Sequence, residues 1–341
     1  MRAGGESTRM SIAENLKGAA TAAGSESPNP YVFLVGCPRS GTTLAKRMLD
    51  AHPRIAITRE THWITRFFRK HVGLTDDGMV TPALLDELLA YKRFPHLHLD
   101  EADVRALVTA EKPMRYTTFV SAVFDLYGLR EGKPLVGDKT PPYVRYVGML
   151  SEMWPRARFV HIIRDGRDVC LSMLKWRMAD RAAGRRSTWE EDPVTTTALW
   201  WEWLIRLGRE AGEPLGPDRY YEMKYETLVA DPPGELATLC KFLELPYDDV
   251  MLRYHEGRTS SDAKLSANAA WLPPTQGLRD WRNQMSPEDL ENFEAAAGTM
   301  LTELGYEHGA PAISPAAQAH ARDLRRRFDG KPLPKNWSTA G

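Results

Sequence analysis

The sequence predicts an α/β fold, a central parallel sheet flanked by helices, and three observations carry that reading. Short apolar runs recur at Tyr31 to Val35, Ile55 to Ile57 and Arg158 to Ile163. Helical windows separate them, and two Gly- and Arg-bearing segments, Gly36 to Thr43 and Arg164 to Ser172, follow two of the runs directly. Strands that read as continuous apolar runs are buried on both faces, and strands joined through helices run parallel, with ligands gathering at their carboxyl ends.

The elements follow in chain order. Tyr31 to Val35 is the first strand, and the helix after it starts near Gly41 and reaches about Asp50. Pro53 closes that helix, and Ile55-Ala56-Ile57 is a second strand. From Thr61 to Tyr127 the pattern is mostly helical: Thr81-Pro82 places an N-cap before a first-turn proline, and Leu84, Leu85, Leu88 and Leu89 form one apolar face. Pro134 to Gly137 leads into Asp138-Lys139-Thr140. Tyr143 to Met153 then reads as a helix, Arg158 to Ile163 as a strong strand and Arg167 to Trp176 as the next helix. Trp200, Trp201, Trp203, Leu204 and Leu207 mark a buried helix, Arg219 to Met223 a strand and Glu235 to Leu245 a helix; Ser286-Pro287-Glu288-Asp289 caps what reads as the last one.

Residues 1–29, rich in Ala, Gly, Ser and Glu, read as a disordered leader with neither a secretory signal nor a membrane anchor. Residues 30–309 form one expected domain, and the Arg- and Pro-rich 310–341 an expected loosely packed tail. The 341 residues carry 45 basic and 45 acidic side chains, so no whole-chain field draws the protein to nucleic acid, and any anion site must be local. The three cysteines, Cys37, Cys170 and Cys240, lie too far apart for a Cys-x-x-Cys site or a disulfide framework, which points to a cytoplasmic protein.

Gly36-Cys37-Pro38-Arg39-Ser40-Gly41-Thr42-Thr43, between a strand and a helix, sets backbone N–H groups and the positive end of the helix around one point, as P-loop-type folds do. Nucleotide hydrolases of that type need Lys after the second Gly. Here Thr42 follows it and the loop's cation is Arg39, which can fork onto a sulfonate or phosphate without a metal, helped by the hydroxyls of Ser40, Thr42 and Thr43. Cys37 reads as filler. His96-Leu97-His98 could offer two ring nitrogens on a strand face but lacks a third ligand, so it reads as a solvated loop. The tryptophan cluster at 200–203 reads as core, and Arg325-Arg326-Arg327 as a run facing water.

Pro38 to Thr43, followed by Leu49-Asp50-Ala51-His52-Pro53, resembles the 5′-phosphosulfate loop of sulfotransferases that use 3′-phosphoadenosine 5′-phosphosulfate (PAPS), and is most similar to the tyrosylprotein branch. Arg164-Asp165-Gly166-Arg167-Asp168-Val169-Cys170-Leu171-Ser172 resembles that family's 3′-phosphate segment, which assigns Arg164 and Ser172 to the phosphate; the alternative for Arg164 is an ion pair with Asp165 or Asp168. Lys224 to Leu228 resembles a third segment, whose Tyr, here Tyr225, lines the nucleotide site. Ser260-Ser261-Asp262 and Gly277 to Arg282 resemble the segment that closes over the donor. There the tyrosylprotein branch has Lys where this chain has Asp280, which leaves Arg279 or Arg282 as the cation, and Ser261 helps to position the donor.

The resemblance implies an enzyme that moves a sulfuryl group from PAPS to an acceptor hydroxyl and releases adenosine 3′,5′-bisphosphate (PAP). Cytosolic members use a His after Lys-Thr as base, but Lys139-Thr140 is followed by Pro141, so the base falls to Glu60, the tyrosylprotein-type position, with His62 as its rival. A hydrophobic acceptor site is expected to raise the Glu60 carboxyl toward neutral pH, while Lys139 and Arg39 stabilise the sulfonate and the leaving oxygen. The insert from Thr61 to Tyr127 is expected to shape the acceptor side. With neither anchor nor paired cysteines in view, a small-molecule hydroxyl acceptor is favoured over protein tyrosine. A donor-binding module without catalysis and a kinase are the other readings, and the sequence leaves the oligomeric state open.

Overall fold

In the computed structural model, residues 29–109, 113–256 and 279–329 are described. Five strands, β1 (Val32–Gly36), β2 (Ile55–Thr58), β3 (Leu135–Lys139), β4 (Arg158–Ile163) and β5 (Tyr220–Lys224), form one parallel sheet in the order β2-β3-β1-β4-β5. The β1 side chains alternate between two cores. Phe33 and Val35 join Phe124, Trp154, Phe159 and Trp201 on one face, whereas Val32 and Leu34 join Met48, Val160, Ile162 and Leu239 on the other. Helices cover both faces because neither side of such a strand tolerates water. α1 (Thr42–Ala51) follows β1 and α2 (Trp63–Arg69) follows β2. The insert then supplies α3 (Pro82–Leu89), α4 (Glu101–Arg105) and α5 (Tyr116–Glu131). α6 (Val147–Met153) precedes β4, and α7 (Gly166–Leu174) and α8 (Pro193–Gly212) follow it. α9 (Tyr225–Ala230) and α10 (Pro232–Phe242) follow β5, and α11 (Trp281–Gln284), α12 (Pro287–Glu303) and α13 (Pro315–Asp329) close the described chain.

Several expectations need correcting. The stretch expected as one helix from Tyr143 to Met153 divides into a 3-10 helix at Pro141–Tyr146 and α6. Ser286 caps α12 by accepting from the Asp289 N–H at 3.0 Å, but α12 is not the last helix. Within the tail expected to be loose after Gly309, residues Pro315–Asp329 instead form α13, which buries Ala321, Leu324 and Phe328. Nor does the arginine run simply face water: Arg325 pairs with Glu202, Arg327 with Glu191 and with Asp323, and Arg326 with Asp323. His96 lies in the 3-10 turn Phe94–Leu97 and His98 in a left-handed conformation, so they share no strand face. Among the described residues no group of side chains could hold a metal ion, and no helix is long and apolar enough to cross a membrane.

His161, in the middle of β4, is fully buried. Its Nδ1 lies 2.6 Å from the Tyr220 hydroxyl, which donates to Glu222, itself held by Arg209 through two bonds. The chain of donors assigns the ring proton to Nδ1. Nε2 has no partner, so protonation would bury an unsatisfied charged N–H; burial, with Arg209 adding to it against Glu222, pulls the imidazole down to about 4 from 6.5. Between those pH values the unfolded chain binds the extra proton, so stability falls as pH drops from about 6.5 to about 4, by at most roughly 3 kcal/mol. Urea midpoints measured against pH should show this slope, and His161→Gln should flatten it.

Candidate active site

The loop from Gly36 to Gly41 turns from β1 into α1 and depends on its glycines. Gly41 has φ +86°, and a Cβ there would lie 2.2 Å from the Tyr225 ring; a Cβ on Gly36 would lie 2.4 Å from the Ile162 carbonyl oxygen. Only hydrogen fits at either position. Arg39 also adopts a left-handed conformation, φ +79°, a strain of about 1–2 kcal/mol for a residue with a side chain and a frequent mark of a functional loop. Its Nε donates to Ser172 Oγ at 3.0 Å and its guanidinium rests over Trp176, 5.3 Å from the ring centroid. The phosphate loop after β1 and the segment after β4 therefore meet side chain to side chain, at the point in the strand order where connections diverge to opposite sides.

The other predicted donor contacts gather around this joint. Arg164 leaves the end of β4 and lies over the Tyr225 ring at 4.3 Å, while its NH2 donates to Asp168 at 3.0 Å. The ion pair considered from sequence is thus present, yet Nε of Arg164 is buried without a hydrogen-bond partner, as a group that faces an anion would be, and the buried Ser40 hydroxyl has the weakly polar Cys37 thiol beside it. Thr42 is buried and Thr43 partly so at the start of α1. Burial, then the charges of Arg279 and Arg164, hold the Arg39 guanidinium below its usual range, which places Arg279 in the same cationic cluster. Arg282 is not brought in: it pairs with Glu307 and Asp280 on an exposed surface. Ser261 lies outside the described residues. Cys37 is fully buried, and burial pushes its thiol up, which suits filler rather than a nucleophile.

The predicted reaction centre assembles next to this cluster. Lys139, the last residue of β3, donates from Nζ to Glu60 Oε1 at 2.9 Å. Glu60 Oε2 lies 3.0 Å from His62 Nε2 and accepts from Arg93 NH1 at 3.3 Å. His62 caps α2 in a left-handed conformation, φ 56°, and so turns its ring back onto Glu60. The expectation of a raised Glu60 carboxyl is overturned. Burial does push it up, but the charge of Lys139, the hydrogen bonds from His62 and Lys139 and the charge of His62 together hold it well below the usual carboxylate range. Glu60 is therefore ionised at neutral pH. Sequence reasoning missed Arg93, an unremarkable residue of the insert, and Trp176, the seat of Arg39; no local pattern marks either.

The comparisons with known proteins agree with this geometry. The Sulfotransferase family matches residues 30–249, which is most of the chain and includes both anion segments, Glu60, Lys139 and Tyr225. Protein-tyrosine sulfotransferase 1 of Homo sapiens is 29% identical over 285 residues, covering 82% of this chain and 70% of that protein. Protein-tyrosine sulfotransferase of Drosophila melanogaster is 26% identical over 289 residues; the match covers 82% of this chain but only 52% of the fly protein, so the chain spans about half of that relative's length. Among solved structures, the sulfotransferase domain of the Synechococcus PCC 7002 olefin synthase shares the fold at a TM-score of 0.55 and 23% identity, over 83% of this chain and 97% of that one. Because the family model covers more than half of the chain, this chain belongs to the sulfotransferase family.

Proposed function

We propose that the protein transfers the sulfuryl group of PAPS to the phenolic hydroxyl of a protein tyrosine. The observation that carries the reading is the Lys139–Glu60 pair at the carboxyl ends of β3 and β2, set beside the cluster of Arg39, Arg164 and Arg279. The loop N–H groups, Ser40, Gly41, Thr42, Thr43 and Arg39 would take the phosphosulfate end of the donor, and Arg164, Ser172 and Tyr225 the 3′-phosphate end. The acceptor oxygen attacks sulfur as the bond from sulfur to the 5′-phosphate oxygen breaks. Glu60 receives the acceptor's proton, Lys139 and Arg39 neutralise charge on the sulfonate and departing phosphate, and PAP leaves. The catalytic unit would begin near residue 30 and, with α13 packed onto it, extend to Asp329.

Two considerations turn the acceptor from the small molecule expected from sequence toward tyrosine. The curated relatives named above carry protein-tyrosine in their names. Moreover, a carboxylate held far down is a weak base, and a phenol, with a pKa of about 10, yields its proton much more readily than an aliphatic alcohol does. The spacing of the three cysteines, which favours a small-molecule acceptor only through the compartment it suggests, says nothing about the reacting hydroxyl. With labelled PAPS, a tyrosine-containing peptide should become labelled while its Phe counterpart and a panel of aliphatic alcohols do not. Label on small alcohols alone would overturn the acceptor; PAP binding with no transfer to any hydroxyl would leave a binding module.

A further inference from the structure

Glu60 and Lys139 are held from both sides by a set of clips built of hydroxyls and one carboxyl. β2 and β3 pair in register up to Thr58 and Asp138, where the Thr58 hydroxyl donates to Asp138 Oδ2 at 2.8 Å. Beyond the last rung the backbones part, but Thr61 N–H donates to Thr140 Oγ1 at 2.9 Å, and the Thr61 and Tyr143 hydroxyls share a hydrogen bond at 2.9 Å. Glu60 thus hangs between the clips at Thr58 and Thr61, and Lys139 between those at Asp138 and Thr140. The distance between base and cation is set by these bonds as much as by the ion pair itself.

Asp138 is the member whose presence packing does not explain. It is fully buried, and alternation along the strand sends it to the face opposite Lys139. The Thr140, Thr58 and Thr61 hydroxyls and the charge of His62 favour its ionised form, yet burial outweighs them and pushes the carboxyl up to about 6. Oδ1 closes no hydrogen bond, although Thr140 and Thr61 stand near it. A buried carboxyl without an ion-pair partner destabilises a fold, and such groups concentrate at functional sites. The site it borders is the reaction centre, one residue from Lys139 and, across the strand pair, two residues from Glu60.

We propose that Asp138 is a positioning residue for sulfuryl transfer: through Thr58 it locks the ends of β2 and β3 so that Glu60 and Lys139 keep their separation as donor and acceptor arrive. The inference rests on the roles given above to Glu60 and Lys139. It accounts for a buried acidic side chain near the end of β3, and it assigns the spacing of the pair to groups that touch neither substrate.

The test compares Asp138→Leu, Thr58→Val and Thr58→Ser in the full chain. Asp138→Leu, which keeps the shape but offers no acceptor to the Thr58 hydroxyl, should lower kcat on the order of 100-fold, the usual effect of a reacting group displaced by about an ångström, while the donor KM and PAP affinity stay within about 2-fold. Thr58→Val should reproduce that loss and Thr58→Ser, which keeps the hydroxyl, should restore most of it. Combining Asp138→Leu with Thr58→Val should add little to either alone, since both break one contact. Wild-type kcat in Asp138→Leu, or a parallel loss of donor affinity and kcat, would overturn the inference. If Asp138→Leu does not fold, Thr58→Val against Thr58→Ser decides, and equal rates for the two would refute it. Should Glu60→Gln instead prove fully active, the parent assignment fails, and that result is distinct from active Asp138→Leu beside inactive Glu60→Gln.

Discussion

Glu60→Gln should lose turnover by about 10²–10⁴-fold while still binding PAP within a few-fold of the parent, as expected when a general base is replaced by a neutral group of the same shape. The amide oxygen can still accept from Lys139, which donates to Oε1 in the parent, so the donor side of the site has no reason to rearrange. What disappears is the proton acceptor. Single-turnover transfer to a tyrosine peptide, read beside PAP binding by calorimetry, separates the two quantities. His62 is the control: its Nε2 bonds to Glu60 Oε2 at 3.0 Å, so it can orient the carboxylate without taking the proton itself. His62→Gln should therefore reduce kcat much less than Glu60→Gln, and the reverse order would transfer the role of base to the imidazole.

The parts of this site that were legible in the sequence are those written contiguously. The loop at Gly36 to Thr43 declares itself because backbone N–H groups, two glycines and an arginine must be adjacent to surround an anion, and the segment from Arg164 to Ser172 does so because a strand end and the next helix are consecutive. β1 was legible for a similar reason: burial on both faces writes an unbroken apolar run, whereas β3, with Asp138 and Lys139, shows no such run. What the sequence did not disclose is set by partners brought from far away. The carboxyl of Glu60 was expected to rise because burial was visible as hydrophobic surroundings, whereas Lys139, 79 positions on, was not visible as a bonding partner. Nothing local marks Asp138; its partner Thr58 lies 80 positions away on the neighbouring strand. Arg282 was chosen by its place in a motif, but Glu307 holds it elsewhere. Richness in Arg and Pro makes the segment around Pro315–Asp329 read as a tail; its few apolar side chains, Ala321, Leu324 and Phe328, nevertheless fall on one face and find the core.

Lys139→Ala should be the second severe variant, and its effect should have two parts. The first is the loss of a buried cation beside the leaving oxygen, on the order of 10²–10³-fold in kcat, comparable with removal of one donor from an oxyanion site. The second is a change in pH dependence. The Lys139 charge is the largest influence that lowers the Glu60 carboxyl, and its hydrogen bond adds to that, against a burial effect that would remain in the variant. Removing the lysine therefore lets the carboxyl rise, so that a larger fraction of the enzyme is protonated as the medium becomes acidic. The acid limb of the kcat profile should move to higher pH in Lys139→Ala, whereas Lys139→Arg, which keeps the charge with altered geometry, should leave the limb near its original position even though turnover falls. On the proposed roles, a donor oxygen that drew Lys139 away from Glu60 would make the carboxylate a better base at the moment the acceptor proton must leave. A profile in Lys139→Ala that scales down without shifting would mean that Lys139 and Glu60 act independently, and would sever that link.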